Sequence, residues 1–128
     1  MVKKFILKYS FTLSIIWTLI ILGLCSMPGQ HIPSFNFLEM LAFDKWVHAG
    51  IFFVLCCFIF FSIIQRDNSK QKIYLFFALA ILYGCSLEIM QGTLFSHRSA
   101  DWNDVIANTV GCIFGLIFYR KLYTYFSH

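Results

Sequence analysis

The sequence predicts an all-α integral membrane protein: a four-helix bundle with short loops and with its N- and C-termini in the cytoplasm. Three observations predict it. Of the 128 residues, 59% are hydrophobic and only 12% are charged, with 16 phenylalanines. A soluble domain of this size could not hide that much apolar surface, so its solvent is expected to be lipid. The apolar residues fall into four runs, and a crossing helix needs about 20 residues. The chain therefore has room for four spans within one domain, residues 1–128, and none for a separate soluble domain. The third observation is the placement of the cations. Lys3, Lys4, Lys8, Arg66, Lys70, Lys72, Arg120 and Lys121 lie at the termini and between spans two and three, whereas only Lys45 and Arg98 lie on the other side. Eight against two puts both termini inside. The same asymmetry accounts for the net charge of +4, which therefore does not argue for a nucleic-acid partner.

The first span is expected over about 10–27, entered through Phe5–Tyr9 and ended by Pro28 and Pro33. Lys3 and Lys4 before an apolar run also fit a signal peptide, and Cys25 hints at a lipoprotein site. Leu24 stands where that site needs a small residue, however, and the run is long enough to span, so a retained helix is expected. The second span reads as Trp46–Ile64 and the third as Ile73–Gln91. The fourth, Val105–Tyr119, is the shortest and is extended at its start by Asp101–Asp104. The five cysteines (25, 56, 57, 85 and 112) lie within or at the ends of spans. They form no C-x-x-C pair and read as small apolar packing residues.

Polar residues concentrate at the outer end of three spans. Asp44 and His48 are four apart at the opening of the second and so share a face; Asp44 could orient the imidazole, or simply cap the helix. Glu88 is an ionisable group within an apolar run, where charge is costly and usually faces the bundle interior or a functional cavity. Gly84, Glu88 and Gln91 form one stripe. Asp104, Asn108, Gly111 and Gly115 form another, in which G-x-x-x-G permits close helix contact and turns the polar pair away from lipid. Carboxylates at Asp101 and Asp104 equally suit a helix N-terminus. Arg98 could clamp an anion or neutralise Glu88 or Asp101.

The candidate ligand-binding set is thus Asp44, His48, Glu88, Gln91, Arg98, Asp101, Asp104 and Asn108, with His48 and Glu88 as candidates for catalysis. His48, Glu88 and Asp104 could together hold a divalent ion, but with one well-placed histidine no metal site is assigned. No cofactor is expected. Three functions compete: binding of a lipid-linked or cell-wall component at the outer surface, intramembrane acid/base catalysis, and proton- or cation-coupled transport. Transport expects its charge near the midplane, and the crowding at one end argues against it.

The order Asp44-Lys45-x-x-His48, Glu88-x-x-Gln91, Arg98, Asp101-x-x-Asp104-x-x-x-Asn108-x-x-Gly111-x-x-x-Gly115 resembles the VanZ-like family of small bacterial membrane proteins, over roughly 26–122. The resemblance implies a short helical bundle in the bacterial cytoplasmic membrane and an envelope-related role. The family is named for a member linked to resistance against the glycopeptide teicoplanin, so glycopeptide tolerance comes with the resemblance. It supplies no reaction and no catalytic set, and neither enzyme activity nor oligomeric state is assigned.

Overall fold

The computed structural model describes residues 1–25, 37–93 and 102–128, with side chains left undescribed at 25 and 37–44. The described residues form five α-helices and no strand: α1 Val2–Lys8, α2 Ser10–Cys25, α3 Phe37–Arg66, α4 Lys70–Thr93 and α5 Trp102–Ser127. Three segments are long and apolar enough to cross a membrane: Lys45–Arg66, Lys70–Thr93 and Trp102–Ser127. A fourth crossing exists if α1 and α2, bent by 82° at Tyr9, count as one broken span.

Each long helix outruns its apolar run. Span four, expected to end at Tyr119, continues to Ser127. There, Tyr123 and Phe126 pack on Phe61 with ring centroids 5.8 and 5.7 Å apart. The second helix starts at Phe37, well before Trp46. Residues 37–43 contain Leu, Glu, Met and Ala, all good helix formers, and neither Gly nor Pro. Asp44 is consequently interior to α3, which overturns the reading of it as an N-cap. The first span corresponds to α2, which starts at Ser10 as expected and is described to Cys25; the entry segment before it forms α1, set off by the turn at Tyr9.

That turn contains no Gly or Pro. It is fixed from a distance: the Gln65 amide donates to the Leu7 carbonyl at 2.7 Å and to Ser10 Oγ at 3.0 Å. The last carbonyls of a helix lack intrahelical partners, and Gln65 supplies one. Arg66 lies 4.4 Å over the Phe11 ring, on the same corner. Between α3 and α4 the chain reverses through Asn68, at φ 48°, a conformation Asn tolerates better than most residues. Lys72 pairs with Asp67 there and holds its carboxyl below the ordinary range.

The contacts set the directions of the helices. Lys45 meets Asp104, His48 meets Asn108, Cys56 faces Gly115 and Phe60 meets Tyr119, so α3 and α5 run parallel at a nearly constant offset. Gly84 of α4 faces both Asn108 and Phe52, and the start of α4 shares a pocket with Arg120 of α5; α4 is antiparallel to both. The Trp17 indole of α2 donates to the Ile51 carbonyl at 3.0 Å, and Tyr83 donates to the Thr18 carbonyl at 2.8 Å. Phe52, Leu55, Cys56, Phe60, Ile73 and Cys112 fill the shared interior. Outward faces carry Ile15 and Leu19 on α2, Leu75 and Leu82 on α4, and Ile113 and Ile117 on α5, all exposed. An apolar exterior around a packed interior is what lipid solvent requires, and it marks a membrane protein.

Candidate functional site

The α3–α5 seam is built on small residues. A Cβ at Gly111 would overlap the Ala49 carbonyl oxygen and lie 2.9 Å from its carbonyl carbon; one at Gly115 would lie 2.7 Å from Cys56 Cβ. Backbones this close bring the first turns of α5 against the corresponding part of α3, and the polar side chains meet there.

Lys45 donates to Asp104 Oδ1. The pair is mostly shielded, with side-chain exposures of 26% and 12%. One turn deeper, His48 Nδ1 lies 3.0 Å from Asn108 Oδ1. An amide oxygen only accepts, so this contact is a hydrogen bond when Nδ1 carries the proton, which in the neutral ring leaves the lone pair on Nε2. Nε2 faces Asp104 Oδ2 at 3.9 Å, so the carboxylate lies beside both the ammonium and the imidazole. Asn108 is held in turn by α4: a Cβ at Gly84 would sit 3.2 Å from Asn108 Cβ and Nδ2. Glycine leaves that space open, and an added Cβ would crowd the amide by a few tenths of an ångström.

The same contact sets the level of α4. Because Gly84 faces Asn108 on an antiparallel neighbour, Glu88 lies one turn further out, on the level of Asp104. Glu88 and Gln91 are buried at 3% and 2% exposure, against 8% for Asp104 and 2% for Asn108. Four polar residues buried at one end of a lipid-facing bundle are costly unless they satisfy one another. A layer with an ammonium, two carboxylates, an imidazole and two amides can bind a polar or ionic group, or transfer a proton at His48.

The VanZ/LLP1 family model matches residues 5–124 of this chain. The chain belongs to the VanZ-like family. No curated protein and no solved structure matches it.

In this VanZ-like chain the residues singled out from sequence fall into two groups. His48, Asp104 and Asn108 come together directly, and Glu88 and Gln91 are buried on the helix packed beside them. Arg98, Asp101 and the Asp44 side chain lie outside the described residues. Two residues were missing from the sequence-derived set. Lys45, counted from sequence only among the outer cations, pairs with Asp104. Its signal was present, since Lys45 and His48 are three apart and share a helix face. Gly84 stood in the stripe with Glu88 and Gln91; its partner, Asn108, could not be read from α4 alone.

Proposed function

We propose that this VanZ-like chain is a four-helix membrane bundle with cytoplasmic termini and an outward-facing polar site that engages a lipid-linked or cell-wall component of the envelope. The observation that carries the reading is the polar layer at one end of the bundle, where Lys45–Asp104 and His48–Asn108 lie level with buried Glu88. Asp44, Arg98 and Asp101 belong to the same proposed site by their place in the chain, and Arg98 would bring a second cation for an anionic group. Membrane lipid is the surrounding partner. A contribution to glycopeptide tolerance belongs to this reading through the family's naming member. The residue range 1–128 is taken as one domain.

The orientation rests on the cation bias and is tested by thiol labelling. In a background without native cysteines, Thr93→Cys is expected to react with an impermeant reagent added to intact cells, and Ser69→Cys is not. Reaction at Ser69 would put the polar layer on the cytoplasmic side.

Binding is tested on detergent-purified protein by mass spectrometry of co-purifying envelope lipids. Lipid-linked material is expected on the parent chain. It should fall by about tenfold or more in Glu88→Gln and in His48→Ala, because losing one member of a buried charge-and-hydrogen-bond set costs a few kcal/mol. Equal recovery on both variants would remove the site from the proposal.

Acid/base catalysis is the second reading, favoured by one observation: His48 Nδ1 lies 3.0 Å from the Asn108 side-chain oxygen, and a ring protonated there would have Nε2 as its base. Glu88 would be the second proton-transfer group. Conversion of the bound lipid by the parent but not by His48→Ala would favour catalysis over binding alone.

A further inference from the structure

A second polar pocket lies at the opposite end of the bundle, between the start of α4 and the later turns of α5. Arg120 follows Asp104 by sixteen residues of helix, about 24 Å. The pocket, about 290 Å³, is bordered by Lys70, Tyr74, Tyr119 and Arg120, over apolar walls that include Ile73 and Ile117. Nearby, Lys72 is paired with Asp67, whereas Arg120 lies over the Tyr119 ring, 5.7 Å from its centroid. Among the described residues, neither Lys70 nor Arg120 forms an ion pair with a carboxylate. Arg120 is instead oriented: its Nε–H donates to the Tyr119 hydroxyl at 2.9 Å. Its terminal guanidinium nitrogens remain as a fork of donors suited to a phosphate.

We propose that this pocket binds a phosphate-ester oxyanion, that of an anionic phospholipid, with Lys70 and Arg120 neutralising the phosphate and the Leu116–Ile117 wall taking the first methylenes of an acyl chain. Three features favour a lipid over a free anion. Lys70 opens α4, so the pocket sits where a span meets its turn, at headgroup level. One wall is hydrocarbon, which a free phosphate would not use. Ile117 and Tyr74 are exposed on the outward face of the bundle, so a lipid can enter sideways. Basic pockets between spanning helices are a recurrent form of headgroup recognition. This site shares no residue with the polar layer at the other end, so either can fail alone.

The test is a titration of the full-length protein in a neutral detergent, with thermal stability and native mass spectrometry as readouts. Phosphatidylglycerol, phosphatidylcholine and inorganic phosphate are the three probes. Phosphatidylglycerol is expected to bind and raise the melting temperature, and phosphatidylcholine to do neither. Lys70→Gln or Arg120→Gln should each weaken phosphatidylglycerol binding roughly fivefold, and the double variant about thirtyfold. Lys70 is exposed at a helix start, so its variant keeps the test valid if Arg120→Gln disturbs Tyr119. Lys121→Gln, an exposed cation outside the pocket, should leave binding unchanged. An equal loss in Lys121→Gln would mean diffuse surface charge and overturn the pocket, as would undiminished binding to the double variant. Inorganic phosphate binding as tightly as phosphatidylglycerol would overturn the lipid assignment.

Discussion

Gly111→Ala is expected to be the most damaging single-methyl change in the protein. The added carbon would overlap the Ala49 carbonyl oxygen, which is backbone inside a helix and cannot rotate away. The two helices would have to separate, and with them the His48–Asn108 and Lys45–Asp104 contacts one and two turns away. Overpacking usually costs 1–3 kcal/mol; with backbone as the obstacle, the loss should reach about 3 kcal/mol or more. Gly115→Ala meets Cys56 Cβ at 2.7 Å and should cost less, since the overlap is shallower than the one with the Ala49 carbonyl. Gly23 and Gly50 supply the control. Nothing lies within 4 Å of a Cβ at either, so alanine there should be neutral, or stabilising by up to about 1 kcal/mol through helix propensity. Unfolding by denaturing detergent, followed by circular dichroism, orders the four variants. Gly111→Ala unfolding together with Gly50→Ala would show that the seam is looser than described.

The second large effect is expected from splitting the Lys45–Asp104 pair. Removing one partner leaves the other ion shielded from water without its counter-charge. For a fully buried pair that costs 3–5 kcal/mol; partial exposure of Lys45 lowers the expectation to about 2–4. Asp104→Leu should cost more than Lys45→Met, because Asp104 also faces His48 Nε2 at 3.9 Å. The double variant should recover part of the loss, with a coupling of about 1–3 kcal/mol. Added salt should change little, since shielded charges are poorly screened. Strictly additive losses would mean that the two groups do not act as a pair.

The parts legible in the sequence were those written in periodicity. Gly84, Glu88 and Gln91 share a stripe at helical spacing, as do Asp104, Asn108, Gly111 and Gly115, and all seven are buried. A lone charge in an apolar run must find protein rather than lipid, so Glu88 announced its burial. Partner choice was not legible. That Lys45 meets Asp104 follows from the parallel offset of α3 and α5, which neither helix carries in its own sequence. Helix ends were equally hidden, because hydropathy marks what lipid must cover, not where hydrogen bonding stops. The bend at Tyr9 was invisible for a third reason: Gln65, far along the chain, fixes it through Leu7 and Ser10.

The parallel pairing of α3 with α5 has a consequence for biogenesis. The chain is made from its N-terminus, and domains tend to form in that order. Lys45 and His48 enter the bilayer with α3, yet their partners Asp104 and Asn108 arrive only with the last helix. Until then α3 carries polar groups with half their environment missing, beside the seam that Gly111 has yet to close. A ribosome product that stops before α5 therefore presents Lys45 and His48 without these two partners, a feature membrane quality control can detect. Arrival of α5 completes the polar layer and the tightest interface in one step, so assembly of this chain is committed at its final helix.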